Sequence, residues 1–171
     1  MLNLNLHPAR LAENELLASC SLSKGRAGGP GGQHRNKVET KVTIEHEPTG
    51  IIAQASERRS AVENRSVALF RLRLLLATKI RCPVLIGECR SALWLSRTSG
   101  GKIACNPEHV DFPTMLAEAM DMLASAHQDP RKAAVRLGCS ASQLTKLIKD
   151  HPPAFERWNH DRVELGEHPM R

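Results

Sequence analysis

Val38-Glu39-Thr40-Lys41-Val42-Thr43-Ile44-Glu45-His46, Glu47-Pro48-Thr49-Gly50 and Ile51-Ile52-Ala53-Gln54-Ala55 are consecutive in the chain. In the first piece Val38, Thr40, Val42 and Ile44 share one face and charges fall largely on the other, the period of a half-buried strand. The second piece is a turn signal built on Pro48 and Gly50. The third continues as a second, antiparallel strand. Together with the helical patterns that follow it, this hairpin decides the fold class.

Downstream, Ser60-Ala61-Val62-Glu63 is a capping-box pattern, in which the Ser60 hydroxyl and the Glu63 carboxylate each serve the other's backbone amide. It predicts a long amphipathic helix from about Ala61 to Arg81. Val62, Leu69, Leu72, Leu76 and Ile80 form its apolar stripe, and Pro83 closes it. Arg65, Arg71, Arg73 and Lys79 lie largely off that stripe. Their outer face reads either as an RNA-facing surface or as an ordinary solvated one. Upstream, residues 8–18 read as a short helix with Leu11, Leu16 and Leu17 as apolar positions, and residues 19–24 as a first strand. The expected fold is α+β: a small antiparallel sheet with a long packed helix, followed by an α-helical C-terminal extension.

Between the first strand and the hairpin lies Gly25-Arg26-Ala27-Gly28-Gly29-Pro30-Gly31-Gly32-Gln33-His34-Arg35-Asn36-Lys37. Five of the chain's eleven glycines fall in its first eight residues. Bare backbone approaches a ligand closely, and Arg26, Arg35 and Lys37 surround it with positive charge. An anionic partner suits such a loop.

The C-terminal half is helical in pattern. Val84 to Ser96 is ambiguous, with a short helix near Glu88–Leu95, and Arg97 to Lys102 reads as a loop. Its Gly-Gly-Lys lacks the spacing of a phosphate-binding P-loop. Asp111 is placed to cap a helix carrying Phe112, Leu116, Ala119, Leu123 and Ala126. Asp129-Pro130 opens another helix, and Gly138-Cys139-Ser140 turns the chain. Ser140 and Gln143 offer a second capping box leading into Leu144, Leu147 and Ile148. His151-Pro152-Pro153 stops that helix. Phe155 to Leu165 forms a last one, and Gly166 to Arg171 reads as a frayed tail. The stretch Arg131 to Lys149 is patterned like a helix-turn-helix, or like a helical hairpin that merely packs.

The charge is unevenly placed. Net charge is +6, and residues 20–82 hold twelve Lys/Arg against five Asp/Glu, while residues 83–171 hold eleven of each. The basic excess therefore sits with the glycine loop, as expected of a nucleic-acid contact surface. Three Phe, two Trp and no Tyr make a base-stacking platform a poor fit. Five cysteines without a Cys-x-x-Cys pair suit neither a disulfide framework nor a zinc site, and point to a reducing cytoplasm. No apolar run approaches the ~20 residues a membrane helix needs. Neither a metal nor a cofactor is expected.

The run Gly28 to Lys37 resembles the Gly-Gly-Gln loop of bacterial-type class I peptide chain release factors. The resemblance extends through the following strand, the His46-Glu47-Pro48-Thr49-Gly50-Ile51 turn, Glu57-Arg58-Arg59-Ser60, Asn64 and Ala68, and covers roughly residues 12–80. Two departures stand out: Arg35 where valine is usual, and Gly28 where serine is common. The resemblance implies hydrolysis of the ester joining nascent peptide to tRNA, with the ribosome and peptidyl-tRNA as partners and a monomeric protein. Gly31, Gly32 and Gln33 would be catalytic. Gln33 has no pKa near neutrality, so its value is positional: its backbone amide can donate to the developing oxyanion while its side chain orients water. Arg26, Arg35, Lys37, Lys41, Arg58, Arg59 and Arg65 are the expected RNA contacts.

Thirty residues precede Gly31, too few for the codon-reading and N-terminal domains of stop-codon-reading members. The implied likeness is to the small, codon-independent relatives that free stalled ribosomes. Those often carry a basic tail, whereas residues 147–171 here hold four Lys/Arg and five Asp/Glu. The expected organisation is a catalytic domain at 1–83, a connecting segment at 84–110 and a helical extension at 111–171. The other function class is a non-catalytic RNA- or DNA-binding protein that acts through the helix-turn-helix-like bundle.

Overall fold

A computed structural model describes residues 6–26 and 39–171. The chain forms two compact units, Leu11–Leu76 and Met1–Arg10 with Ala77–Arg171.

The first unit opens with α1 (Glu13–Leu17) and continues through β1 (Cys20–Gly25), β2 (Lys41–His46) and β3 (Ile51–Ala55) into α2 (Ala61–Lys79), which runs on past the unit's boundary. The predicted helix over 8–18 is broken: Pro8–Arg10 is a single 3-10 turn, and α1 starts at Glu13. The sheet is antiparallel in the order β1-β2-β3. Cross-strand pairs Val42–Ala55, Ile44–Ala53 and His46–Ile51 put six buried residues on one face. Polarity alternation thus produced the burial it predicted. Strand β2 begins at Lys41, so Thr40 precedes it, and Val38 lies outside the described residues. Gly50 closes the β2–β3 turn at φ +65°, a left-handed conformation that suits glycine.

The buried stripe of α2 is Asn64, Ala68, Leu69, Leu72, Leu76 and Ala77. Leu69, Leu72 and Leu76 are the residues the helical spacing selected. Val62 was expected there too, and is 74% exposed. In the first turn the inward position belongs to Asn64 instead, four residues before Ala68 and eight before Leu72.

The second unit is built around α4 (Phe112–Ser125). Before it come α3 (Ala92–Arg97) and a two-stranded hairpin of β4 (Thr98–Ser99) and β5 (Lys102–Ile103); after it come α5 (Pro130–Leu137), α6 (Ala141–Lys149) and α7 (Pro152–Glu164). The Arg97–Lys102 loop is thus the end of a helix and a tight hairpin, with Gly100 and Gly101 both at positive φ. Helix α4 is buried almost all round, as a helix apolar on every side must be. Trp94 and Trp158 are fully buried, and the Trp94 indole donates to the Leu137 carbonyl at 2.8 Å.

Asp111 does precede α4, but its carboxylate makes no cap bond; it accepts from Arg97 at 2.5 Å instead. Asp129 behaves as read, accepting from the Arg131 and Lys132 amides. Half of the second capping box forms: Ser140 accepts from the Gln143 amide, while the Gln143 side chain accepts from the Ile103 amide.

The tail after Gly166 is tied down. Asn159 exchanges two hydrogen bonds with Met170, Arg162 donates to the His168 carbonyl at 2.8 Å, and Lys149 donates to the Arg171 carbonyl. Arg162 is buried and also reaches the Gln128 carbonyl at 2.6 Å. Charged side chains, which the apolar pattern does not count, fasten this end.

The N-terminal segment joins this unit through polar bonds. Thr114 donates to the Ala9 carbonyl, His7 bonds the Ile80 carbonyl at 3.2 Å, and Arg10 lies 3.4 Å from Glu118. His7 and Asp121 are both buried there, with Cys82 beside them. Burial lowers the His7 pKa from 6.5 to about 4, despite the Ile80 carbonyl, and Arg81 and Arg10 press it further down. Burial raises Asp121 from 3.8 to about 6, against the Cys82 amide and the two arginines, with Glu118 reinforcing the rise.

The two shifts act oppositely on stability. As pH falls from 6.5 toward 4, the unfolded chain protonates His7 and the folded chain does not, so stability is lost. As pH falls from 6 toward 3.8, the folded chain protonates Asp121 first, so stability is gained. Removing Asp121 exposes the His7 loss. In urea titrations Asp121→Asn should lose stability between pH 6.5 and 4 more steeply than the wild type, by roughly 2 kcal/mol across the range. Parallel pH profiles would show that the two groups do not offset one another.

Candidate functional site

The candidate catalytic residues Gly31, Gly32 and Gln33, with Arg35 and Lys37, lie outside the described residues. What is described is how their loop is rooted. Gly25 of β1 pairs with Lys41 of β2, so the chain leaves and re-enters the sheet side by side. The β2–β3 turn is at the other end of the hairpin. Strand β3 ends at Ala55, opposite Val42, which returns the chain to the end carrying the loop roots.

One side chain secures that end. Asn64, with no exposed surface, donates from Nδ2 to the Thr40 carbonyl at 2.6 Å and to the Arg58 carbonyl at 2.9 Å. Its Oδ1 accepts from the Arg58 amide at 2.9 Å. An amide is suited to this task because it offers donors and an acceptor at once, without a charge to desolvate. The returning root of the loop, the 56–60 turn and the first turn of α2 are thereby joined. A second tie comes from Arg71, which meets both oxygens of Glu57 (2.5 and 3.3 Å) and donates to the Gln54 carbonyl at 2.9 Å. The Ser56 amide and Arg71 together hold the Glu57 carboxyl below its usual range.

Of the expected RNA contacts, Arg26, Arg58 and Arg59 are exposed beside the loop roots, and Lys41 is half-buried at the pairing with Gly25. Arg65 is exposed but lies 3.3 Å from Glu13 of α1. The outer face of α2 is less open than its sequence suggests. Arg71 is engaged as described, and Arg73 donates to the Leu11 carbonyl at 2.7 Å.

Two triads of possible metal donors occur among the described residues, His7–Cys82–Asp121 and His160–Asp161–Glu164. Both nitrogens of His7 are used, Nδ1 accepting from the Ala9 amide and Nε2 facing the Ile80 carbonyl. The Cys82 thiol is pushed up by burial, away from the thiolate a metal would take. Asp161 is held by Arg157 at 2.7 Å. Neither triad reads as a metal centre.

A sheet and helix that present one glycine-rich basic loop define a domain class rather than a whole protein. Residues 14–82 match the RF-1 domain. The chain is 42% identical to peptide chain release factor 2 of Clostridium perfringens over 78 residues, which are 42% of this chain and 22% of that protein. It is 52% identical over 52 residues to a chloroplastic peptide chain release factor of Arabidopsis thaliana, 30% of this chain and 11% of the relative. Peptide chain release factor 1 of Symbiobacterium thermophilum is 50% identical over 52 residues, 30% and 15% of the two chains. Each match thus covers less than a quarter of the curated relative. The likeness is therefore one of a segment: residues 14–82 are similar to the RF-1 domain that peptide chain release factors carry. No described helix is long and apolar enough to cross a membrane.

Asn64 entered the sequence reading only through the resemblance; its clamp did not. The signal was an amide residue on the apolar stripe, in register with Ala68 and Leu72. Asn64→Ala strands the Thr40 carbonyl and both backbone groups of Arg58, and should lower the stability of the 11–76 unit by about 2–4 kcal/mol. Asn64→Asp turns a donor toward two carbonyls into a carboxylate and should cost at least as much. Chemical denaturation reads both variants; if each stays within about 0.5 kcal/mol of wild type, the clamp is not what holds this end together.

Proposed function

We propose that the protein hydrolyses the peptidyl-tRNA ester on the ribosome. The observation that carries the reading is Gly31-Gly32-Gln33 within the segment similar to the RF-1 domain, between roots that the Gly25–Lys41 pair sets side by side. In this reading a water oxygen attacks the ester carbonyl carbon. The bond from that carbon to the tRNA ribose oxygen breaks, and the proton passes from the water to the ribose oxygen. The Gln33 backbone amide donates to the oxyanion as it develops, and its side chain orients the water. Gly31 and Gly32 allow the backbone angles that aim the amide. Arg26, Arg35, Lys37, Lys41, Arg58, Arg59 and Arg65 lie against ribosomal RNA and tRNA, where positive charge displaces counterions. Neither metal nor cofactor takes part, and the protein works as a monomer in the cytoplasm.

We further propose that it acts without reading a codon, on ribosomes that have stalled. The support is the unit that accompanies the matched segment in this chain, a helical bundle in which α5, the turn at Gly138 and α6 are arranged like a helix-turn-helix. The Pro48-Thr49-Gly50 turn is a hairpin connection at the far end of the sheet from the loop and is not such a reader.

The test is peptide release from ribosomes stalled on mRNA lacking a stop codon, beside ribosomes with a stop codon in the decoding site. Equal rates are expected from the two. Gly32→Ala, which shifts the backbone carrying the amide, should lower the rate by about 10²–10³-fold. Gln33→Ala keeps that amide and should lose less, about tenfold. Release at the wild-type rate by both variants would falsify the hydrolase reading; a stop-codon requirement would end the codon-independent one.

A further inference from the structure

Residues 130–149 hold five Lys/Arg and no Asp/Glu, within residues 83–171, where Lys/Arg and Asp/Glu are equal in number. The segment is α5, the turn and α6. Gly138 ends α5 at φ +66°, and the amides of Gly138 and Cys139 return to α5 carbonyls, so the chain reverses within three residues. A side chain at position 138 would also meet the Arg90 guanidinium at 2.7 Å. Leu144, Leu147 and Ile148 face the core, and Ser142, Lys146 and Lys149 make an exposed row at helical spacing. Arg131, Lys132 and Arg136 are exposed on α5.

The β4–β5 hairpin flanks the start of α6. The Ser140 amide donates to the Gly101 carbonyl at 2.9 Å, and the Ile103 amide to the Gln143 side chain at 3.2 Å. Exposed Lys102, between those two anchored residues, adds its charge to the same region.

The unit matches its arginines to carboxylates elsewhere: Arg10 with Glu118, Arg90 with Glu88, Arg97 with Asp111, Arg157 with Asp161 and Arg162 with Glu167. On α5 and α6 the one ion pair among the described contacts is Lys132 with Asp129, at 3.9 Å. Arg136 is turned to Ser125 and the Leu85 carbonyl, and Lys149 to the Arg171 carbonyl. That leaves Lys102 and Lys146 without a described carboxylate partner, while Arg131 shares Asp129 with Lys132. A folded surface with more cations than the carboxylates beside it can match is complementary to a polyanion.

We propose that α5, α6 and the β4–β5 hairpin form a docking surface for the phosphate backbone of double-helical RNA. The choice of RNA over DNA rests on the hydrolase reading above, since the domain in the same chain would work at a ribosome. The surface has no exposed aromatic side chain for stacking unpaired bases, and the deep groove of A-form RNA does not admit a helix. Contact is therefore with phosphates, and is indifferent to sequence. This surface supplies the affinity that the acidic C-terminal segment does not.

The experiment uses the full chain and an RNA duplex of about 20 base pairs, beside a DNA duplex of the same sequence, titrated between 50 and 200 mM salt. The variants are K102A/R131A/K146A, the charge-preserving K102R/R131K/K146R, and Gln33→Ala. The alanine triple should lose at least about tenfold in RNA affinity and its salt slope should fall by about 3. The charge-preserving triple and Gln33→Ala should bind as the wild type does. The same variants are then pelleted with ribosomes, where the alanine triple should stay in the supernatant. Unchanged affinity and slope in the alanine triple, or tighter binding to DNA than to RNA, overturns the proposal. Ribosome binding lost in the alanine triple, without peptide release by the wild type, upholds the surface and removes the hydrolase reading. Release by the alanine triple at the wild-type rate and concentration dependence does the reverse.

Discussion

The Asn64 side chain has two hydrogens and one oxygen to place, and it places all three on backbone that no helix or strand satisfies. Thr40 precedes β2 and Arg58 precedes α2, so both carbonyls and the Arg58 amide would otherwise need water. The glycine-rich loop has both of its roots on the sheet. The Gly25–Lys41 pair sets their spacing, and Asn64 fixes the returning one to the rigid helix. The basic residues around the roots depend on the same clamp, since Arg58 is one of its partners and Arg59 is next in the chain.

The helical unit faces a similar problem and solves it with charge. Helix α4 is apolar on all sides and still buries Glu118 and Asp121. Glu118 accepts from both the amide and the hydroxyl of Ser91, at 2.8 and 2.6 Å, while Ser91 caps α3. Asp121 accepts from the Cys82 amide at 2.9 Å. Both carboxylates therefore organise backbone that enters or leaves a helix, and Arg10 and Arg81 balance them. Arg81 also donates to the Ala77 and Thr78 carbonyls, which closes the C-terminal end of α2. Burial of a lone carboxylate would cost several kcal/mol; shared bonds offset that penalty and give the unit a unique arrangement.

What could be read in advance follows from this division. The hairpin, the long helix and the order of the C-terminal helices were legible, because apolar periodicity and turn residues are local signals. Gly50 and Gly138 took the left-handed angles their turns required. Polar partners were not legible. Asp111 looks like a cap and serves Arg97; Gln143 looks like half of a capping box and serves Ile103. The frayed tail is fastened by Arg162 and Asn159 from α7. In each case the partner is six or more residues away, beyond a local pattern. On α2, too, Arg65, Arg71 and Arg73 find partners as far as 62 positions off in sequence, which a local pattern does not show. Gly31-Gly32-Gln33 lies outside the described residues, and what the structure adds there is the Gly25–Lys41 pairing on either side of its loop.

Net charge misled at the other end of the chain. Eleven cations against eleven anions over 83–171 reads as neutral, yet none of those anions lies within residues 130–149, which leaves α5 and α6 basic. In the proposed arrangement this separates binding from chemistry. Phosphate contacts of α5 and α6 are the same before and during ester cleavage, so they bind ground state and transition state alike and cannot accelerate the step. They set how much protein is needed. Acceleration has to come from contacts made only as the oxyanion develops, and those belong to the loop that Asn64 anchors. Damage to the cationic surface should therefore appear in the concentration for half-maximal release, and damage to the loop or its clamp in the rate at saturation.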